Sequence, residues 1–268
     1  MIRTLLERLL SRVVVKRRLP ASMGAGELLA SAGAGGLKFV LKRTDRLDPS
    51  LLSMAAGTVV PGSVIWDVGA NVGLFSVAAA GLAGAGGKVF AFEADLDVAR
   101  LLQATARLPG NRQLAPISVV PLAVSHSTGI QTFGIAARAR ASNALSGYGR
   151  SQMGGVAEVR WVPAMSLDQI REHLPAPTVL KIDVEGAEVA VLEGGRRILA
   201  EDRPLVLCEV CPADAAAVAR LLTGAGYRIL EGGLADGRLH PATAGSAPWD
   251  TVAVPQERAM LKGEVHFS

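Results

Sequence analysis

Short apolar runs alternate with amphipathic stretches through most of this chain. Residues 64–68 (VIWDV) form an apolar run, followed by a glycine-rich turn and an apolar helical stretch to about residue 82. Residues 88–92, 117–124, 179–184 and 205–210 read as further buried strands. Helices are expected over 95–108, 187–199 and 214–224, and closing strands over 227–230 and 251–254. Apolar strands separated by helices predict an α/β fold with a Rossmann-like, seven-stranded, mostly parallel sheet. Ligands of such sheets bind at the carboxyl ends of the strands. Residues 125–162 break the rhythm. They are polar and rich in Gly and Ser, with period-two alternation over 129–135 and 157–162, which predicts an inserted hairpin or loop pair.

Ahead of this domain, Ile2, Leu5, Leu6, Leu9, Leu10, Val13 and Val14 recur at helical spacing with basic residues between them. A basic amphipathic helix is expected over 1–18, packed on the domain or a partner, or lying on an anionic membrane surface. A Gly/Ala/Ser-rich connection over 19–36 and a short strand over 37–43 would follow. Residues 1–48 then form an extension, and 49–268 the domain proper.

Charge sharpens this division. The net charge is +4. Residues 1–18 carry six basic side chains against Glu7, a surplus larger than that of the whole chain. The near-neutral remainder lacks the basic footprint that nucleic acid requires, so no nucleic-acid partner is expected. The two cysteines, Cys208 and Cys211, make a single C-x-x-C with no second pair and no nearby His, too few ligands for a zinc site. No run reaches the length of a membrane span, and Glu7, Arg8 and Arg12 interrupt any signal-peptide core. A cytoplasmic location is expected, with membrane contact through residues 1–18 left open.

The candidate chemistry begins at Asp67-x-Gly69-x-Asn71-x-Gly73, between an apolar strand and an apolar helix. Glycines there let backbone approach a ligand. Asp67 suits a cationic group and would repel a pyrophosphate, and Asn71 stands where a dinucleotide fingerprint has its second Gly. Glu93 closes the next strand, where it can accept both ribose hydroxyl hydrogen bonds. The pairing with Asp67 favours S-adenosylmethionine over NAD. Lys181 and Asp183 share one strand face, Glu185 follows at the turn, and Glu209 closes the neighbouring strand. These groups can converge beside a bound donor. Ser142, Asn143 and Tyr148 of the insertion offer polar groups for a hydroxyl-bearing acceptor. His126 is a general base or a surface loop residue, Glu188 a cap or pairing partner, and Trp66 and Trp161 packing residues.

Taken together, Asp67–Gly73, Ala91-Phe-Glu93 and Lys181-Ile-Asp-Val-Glu-Gly-Ala-Glu188 resemble the FkbM family of methyltransferases. Supporting matches are Ala123-Val-Ser125, Gly129, Ser166-Leu-Asp168, Val191-Leu-Glu-Gly194 and Arg203-Pro204. His126 departs from the family pattern, where an acidic residue is usual. The resemblance implies a class I methyltransferase fold, S-adenosylmethionine as cofactor and O-methylation of a sugar, glycan or natural product. It places adenine near Ala123. On this reading Asp67, Gly69, Asn71, Gly73, Glu93 and Ala123 bind the cofactor. Lys181, Asp183 and Glu185 form the chemical centre, and Ser142, Asn143 and Glu209 meet the acceptor. Carboxylates could also hold Mg²⁺ with waters, but nothing fixes its coordination and no metal site is assigned. The rival readings are an RNA 2′-O-methyltransferase, a non-catalytic cofactor-binding module and an NAD-dependent oxidoreductase.

Overall fold

The computed structural model describes residues 13–34, 39–40, 48–136, 143–145, 147, 155–232 and 239–258. Five parallel strands make the centre of its main sheet: β3 (Val64–Val68), β4 (Lys88–Phe92), β5 (Ile117–Val120), β10 (Val179–Ile182) and β11 (Leu205–Glu209). The chain runs outward from β3 through β4 to β5, then returns to place β10 and β11 on the other side of β3. The order reverses between β3 and β10, where α/β sheets open a crevice. Strand β14 (Asp250–Pro255) lies antiparallel between β11 and β12 (Tyr227–Glu231). These are the seven strands expected. An eighth, the two-residue β13 (His240–Pro241), pairs with the outer edge of β12.

Both faces of the sheet are buried, which is why its strands are almost continuously apolar. Ile65, Val89, Val179 and Leu207 point into one core, with α1 (Pro49–Thr58) and α2 (Leu74–Ala83). Trp66, Val68, Leu180, Ile182 and Val206 point into the other, with α5 (Glu188–Glu193) and α6 (Ala215–Gly224). Trp66 is fully buried, donates Nε1–H to the Pro175 carbonyl at 3.1 Å and meets Phe92 edge-on. The helix expected over 187–199 is shorter, ending at Gly194, with a separate π-helical turn at Ile198–Asp202.

The amino-terminal expectation needs correcting. Residues 1–12 lie outside the described residues, but Val14–Arg18 is a strand, β1, paired antiparallel with β2 (Glu27–Ser31). Three consecutive valines favour extended backbone, and Pro20 ends it. Nor is 19–34 a free connection. Leu19, Leu28 and Ala30 enter the core. Asn111 ties β2 down, accepting from Glu27 N at 2.7 Å and donating to its carbonyl at 2.8 Å. The strand expected over 37–43 is helical at 39–40, and its other residues are not described.

The strand expected over 117–124 is also divided. Pro121 has no N–H to extend the ladder. The chain leaves the main sheet there and forms β6 (Ala123–Val124), which pairs with β9 (Val156–Met165). Strand β9 pairs antiparallel with β7 (Gly129–Ala136), and β8 (Ala144–Leu145) adds to β7. The hairpin alternative is thus realised as β7 and β9, and β8 and β6 enlarge it to a four-stranded sheet. It is fastened to the start of α3 (Leu96–Ala106): Arg160 pairs with Asp95 and Asp97, both at 3.2 Å, and Asn143 donates to Asp95 at 2.9 Å.

Candidate active site

A cleft of about 340 Å³ opens at the carboxyl ends of β3, β4, β10 and β11. Its lining divides with the strand order, the side of β4 and the small sheet on one hand and that of β10, β11 and β14 on the other, and these two ends differ in chemistry. One end is lined by Asn71, Glu93, Val98, Leu122, Ala123, Val124, Phe133, Asn143 and Leu145. This end is apolar apart from Glu93 and two Asn side chains. The other is lined by Asp48, Ser50, Asp183, Glu185, Glu209, Trp249 and Asp250.

The glycine-rich turn joins them. Gly69 has φ +74°, and a Cβ there would stand 1.8 Å from the Asp183 carbonyl oxygen, so its glycine serves the contact between β3 and the turn after β10. Asn71 also has positive φ, and its side chain accepts from Val72 N at 2.8 Å. Gly73 does not face the cleft. A Cβ there would meet Leu102 at 2.2 Å, so this glycine lets α3 approach.

Glu93 is buried at the edge of the cleft. One carboxylate oxygen accepts Asn71 N–H and the other Asp95 N–H, each at 2.8 Å. Burial raises its pKa to about 7, against the pull of those two N–H groups. Each oxygen keeps lone-pair capacity for a ligand hydroxyl.

Asp67 and Lys181 are absent from the cleft lining and lie below its floor. Asp67 is 0% exposed, so it cannot meet a cofactor directly in this arrangement. It is in register with Lys181 on the adjacent strand. Lys181 Nζ stands 3.2 Å from Asp67 and 3.2 Å from Asp183, and donates to the Gly69 carbonyl at 3.1 Å. Ser76 Oγ donates to the other Asp67 oxygen at 2.5 Å. Burial works against the Lys181 charge, but the two carboxylates outweigh it and hold the pKa above the usual range. Lys181 is thus a buried cation that ties the glycine-rich turn to Asp183.

Asp183, Glu185 and Glu209 do converge on the cleft. Glu185 sits in the left-handed region at φ +55°, followed by Gly186 at +104°. A non-glycine residue there is held by its surroundings. The Gly186 N–H donates to buried Glu188 at 2.9 Å, so Glu188 caps the turn from beneath. Glu209 has its pKa raised to about 8, first by burial and then by the Asp183 and Glu185 carboxylates.

Asn143 lines the apolar end with its amide already engaged, accepting from Ala136 N at 2.8 Å and donating to Asp95. Ser142 and Tyr148 lie outside the described residues. His126 is exposed and absent from the cleft lining. Trp161 is 74% exposed, not packed as expected. Sequence reasoning missed Asp48, Ser50, Trp249 and Asp250. The available signal was the Trp-Asp pair at the mouth of the last apolar run. Among the described residues, no group of three or more His, Cys, Asp or Glu is placed to hold a metal.

The sequence pattern of the FkbM methyltransferase domain matches residues 67–229, well over half of the chain. The chain belongs to the FkbM methyltransferase family. Hexuronic acid methyltransferase AglP of Haloferax volcanii is 32% identical over 133 residues, 49% of this chain and 49% of that protein. The chain therefore spans about half the length of the curated relative it matches. Among solved structures, the FkbM methyltransferase of Methylobacillus flagellatus KT is similar at 19% identity with a TM-score of 0.43, over 71% of this chain and 42% of that one. Fibrillarin of Aeropyrum pernix, solved with S-adenosyl-L-methionine, is similar at 12% identity with a TM-score of 0.44, over 86% and 89%.

Several FkbM-pattern residues hold structure rather than line the cleft. Asp168 accepts from Arg197 N and Ile198 N at 3.0–3.1 Å. A Cβ on Gly194 would stand 2.3 Å from the Ser125 carbonyl oxygen. Arg203 binds the carbonyls of Ala225 and Gly226 between α6 and β12.

Proposed function

We propose that this chain transfers a methyl group from S-adenosylmethionine to a hydroxyl oxygen of a sugar or glycan. The observation that carries this reading is the two-ended cleft, with an apolar slot and the Glu93 carboxylate at one end and acidic groups around Glu209 at the other. The slot fits the cofactor. Glu93 has acceptor capacity for two ribose hydroxyls, and Val98, Leu122, Ala123, Val124, Phe133 and Leu145 supply apolar walls for a flat base. Bound there, S-adenosylmethionine supplies an electrophilic methyl group.

The rest of the work falls to the carboxylates. A hydroxyl being methylated must lose its proton, and a base with a pKa near the working pH takes it best. Glu209 meets that condition, with a pKa of about 8. Asp183, held by Lys181, orients the hydroxyl. Lys181 acts as a positioning residue through Asp67, Gly69 and Asp183. The family membership and the 32% identity to a hexuronic acid methyltransferase support a sugar acceptor.

The test is calorimetric. Titration with S-adenosylmethionine should show micromolar binding that Glu93→Ala weakens, followed by transfer of labelled methyl to members of a glycan panel. Absence of binding, or binding indifferent to Glu93→Ala, would overturn the assignment of the slot.

A further inference from the structure

Trp249 lines the acidic end of the cleft with 54% of its surface in water. Its backbone is held on three sides. The Trp249 carbonyl accepts from Val210 N at 2.8 Å, the Asp250 carbonyl from Gly232 N at 2.8 Å, and the Pro248 carbonyl from Thr251 Oγ1 at 2.6 Å. The indole is therefore carried on a fixed arch, immediately before β14. That strand sets Asp250 opposite Glu209. Ser50 at the start of α1 donates to Asp250 at 2.9 Å, and Asp48 caps the same helix from the cleft wall.

This end thus combines a large rigid apolar face with five carboxylates: Asp48, Asp183, Glu185, Glu209 and Asp250. Among the described lining residues there is no Lys, Arg or His. A pyranose ring is complementary to such a surface. Its C–H face stacks on indole, and its hydroxyls point outward at the rim as donors to carboxylates. An ammonium substituent would gain from both the carboxylates and the indole face. A carboxylate substituent would enter against like charge.

We propose that Trp249 is the stacking platform of an acceptor subsite for a hexopyranose that bears hydroxyl or amino groups and no carboxylate. This rests on the methyl-transfer reading above and narrows it, since it sets the acceptor apart from a hexuronic acid.

The experiment uses the full chain saturated with S-adenosylhomocysteine, in a Trp161→Phe background so that Trp249 and the buried Trp66 report fluorescence. The probes are methyl glycosides of gluco, galacto and manno configuration, each as the neutral sugar, the 2-amino sugar and the uronate, at low salt. In at least one configuration the neutral and amino sugars should shift the emission. The matching uronate should bind at least about tenfold more weakly, a gap that narrows as salt rises. Calorimetry should show Trp249→Ala weakening the neutral sugar about three- to tenfold, with Trp249→Phe retaining part of the affinity. Unchanged binding in Trp249→Ala would overturn the platform, and a uronate that binds as well as its neutral counterpart would overturn the charge selection. Loss of sugar binding while S-adenosylhomocysteine still binds removes the subsite alone. Failure to bind S-adenosylhomocysteine removes the underlying methyltransferase reading as well.

Discussion

Replacing Lys181 with Met tests whether the cation beneath the cleft is structural. Met keeps most of the apolar stem and removes the charge. Asp67 is then left 0% exposed, with Ser76 Oγ as its remaining hydrogen-bond donor. Breaking a buried pair from one side costs about 3–5 kcal/mol, because the orphaned charge stays buried. That is a large fraction of the ~5–15 kcal/mol that stabilises a typical domain. Removing both charges in Lys181→Met/Asp67→Asn should cost less than Lys181→Met alone. Urea unfolding of wild type, both single variants and the double variant measures this. A loss below about 1 kcal/mol in Lys181→Met, or a double variant no more stable than that single one, would refute the reasoning. Full stability with methyl transfer abolished would instead make Lys181 a participant in the chemistry.

Glu93 should make stability pH-dependent. Its pKa rises from 4.5 unfolded to about 7 folded, so the folded state holds the extra proton between those values. Stability is therefore lost as pH rises through that window, by on the order of 3 kcal/mol, and Glu93→Gln should flatten the profile in chemical denaturation. Cofactor affinity should move the other way, strengthening as Glu93 ionises near pH 7, which calorimetry across pH 6–8 would check. Gly69→Ala should fail to fold or lose at least about 3 kcal/mol, because its Cβ meets fixed backbone at 1.8 Å. Gly73→Ala meets the movable end of Leu102 and should cost less by thermal and urea unfolding. The methyl-transfer rate should climb with pH towards about 8, and Glu209→Gln should remove that climb along with most of the rate.

The sheet was legible because its signal is local and repeated. Each of β3, β4, β10 and β11 is a short apolar run, and burial on both faces demands that composition whatever the neighbours are. Signals that depend on the partner were misread. Val13–Val15 fits a helical stripe and a strand equally well, and docking of the β1–β2 hairpin on Asn111 decides the matter. The run over 117–124 reads as one strand unless Pro121 is weighed as a missing donor. At the site, Glu93, Asp183, Glu185 and Glu209 were readable from their places at strand ends. That Asp67 would be sealed under Lys181 was not, because a carboxylate at a strand terminus looks the same whether it faces ligand or lysine. Trp249 and Asp250 were missed because β14, the last strand among the described residues, reaches the cleft through antiparallel pairing with β11. No local pattern reports that neighbour.

This division has a physical basis. For the proposed transfer, the turn after β3 and the turn after β10 must keep one relative position so that donor and acceptor meet. The structure holds that position from below, with the Lys181 bridge and the Gly69–Asp183 contact. Both depend on residues a few positions from the ligand-facing ones, so sequence blocks there are dense and recognisable. The acidic end of the cleft, the proposed acceptor wall, is assembled instead from the start of α1, the end of β11 and the residues before β14. The first and last of these stand 200 residues apart in sequence, joined by the Ser50–Asp250 hydrogen bond. A change at any one of them can alter acceptor chemistry without disturbing the bridge below. Substituting Trp249 should accordingly leave S-adenosylhomocysteine affinity unchanged while altering sugar affinity. Equal loss of both would mean that the wall and the floor are one mechanical unit.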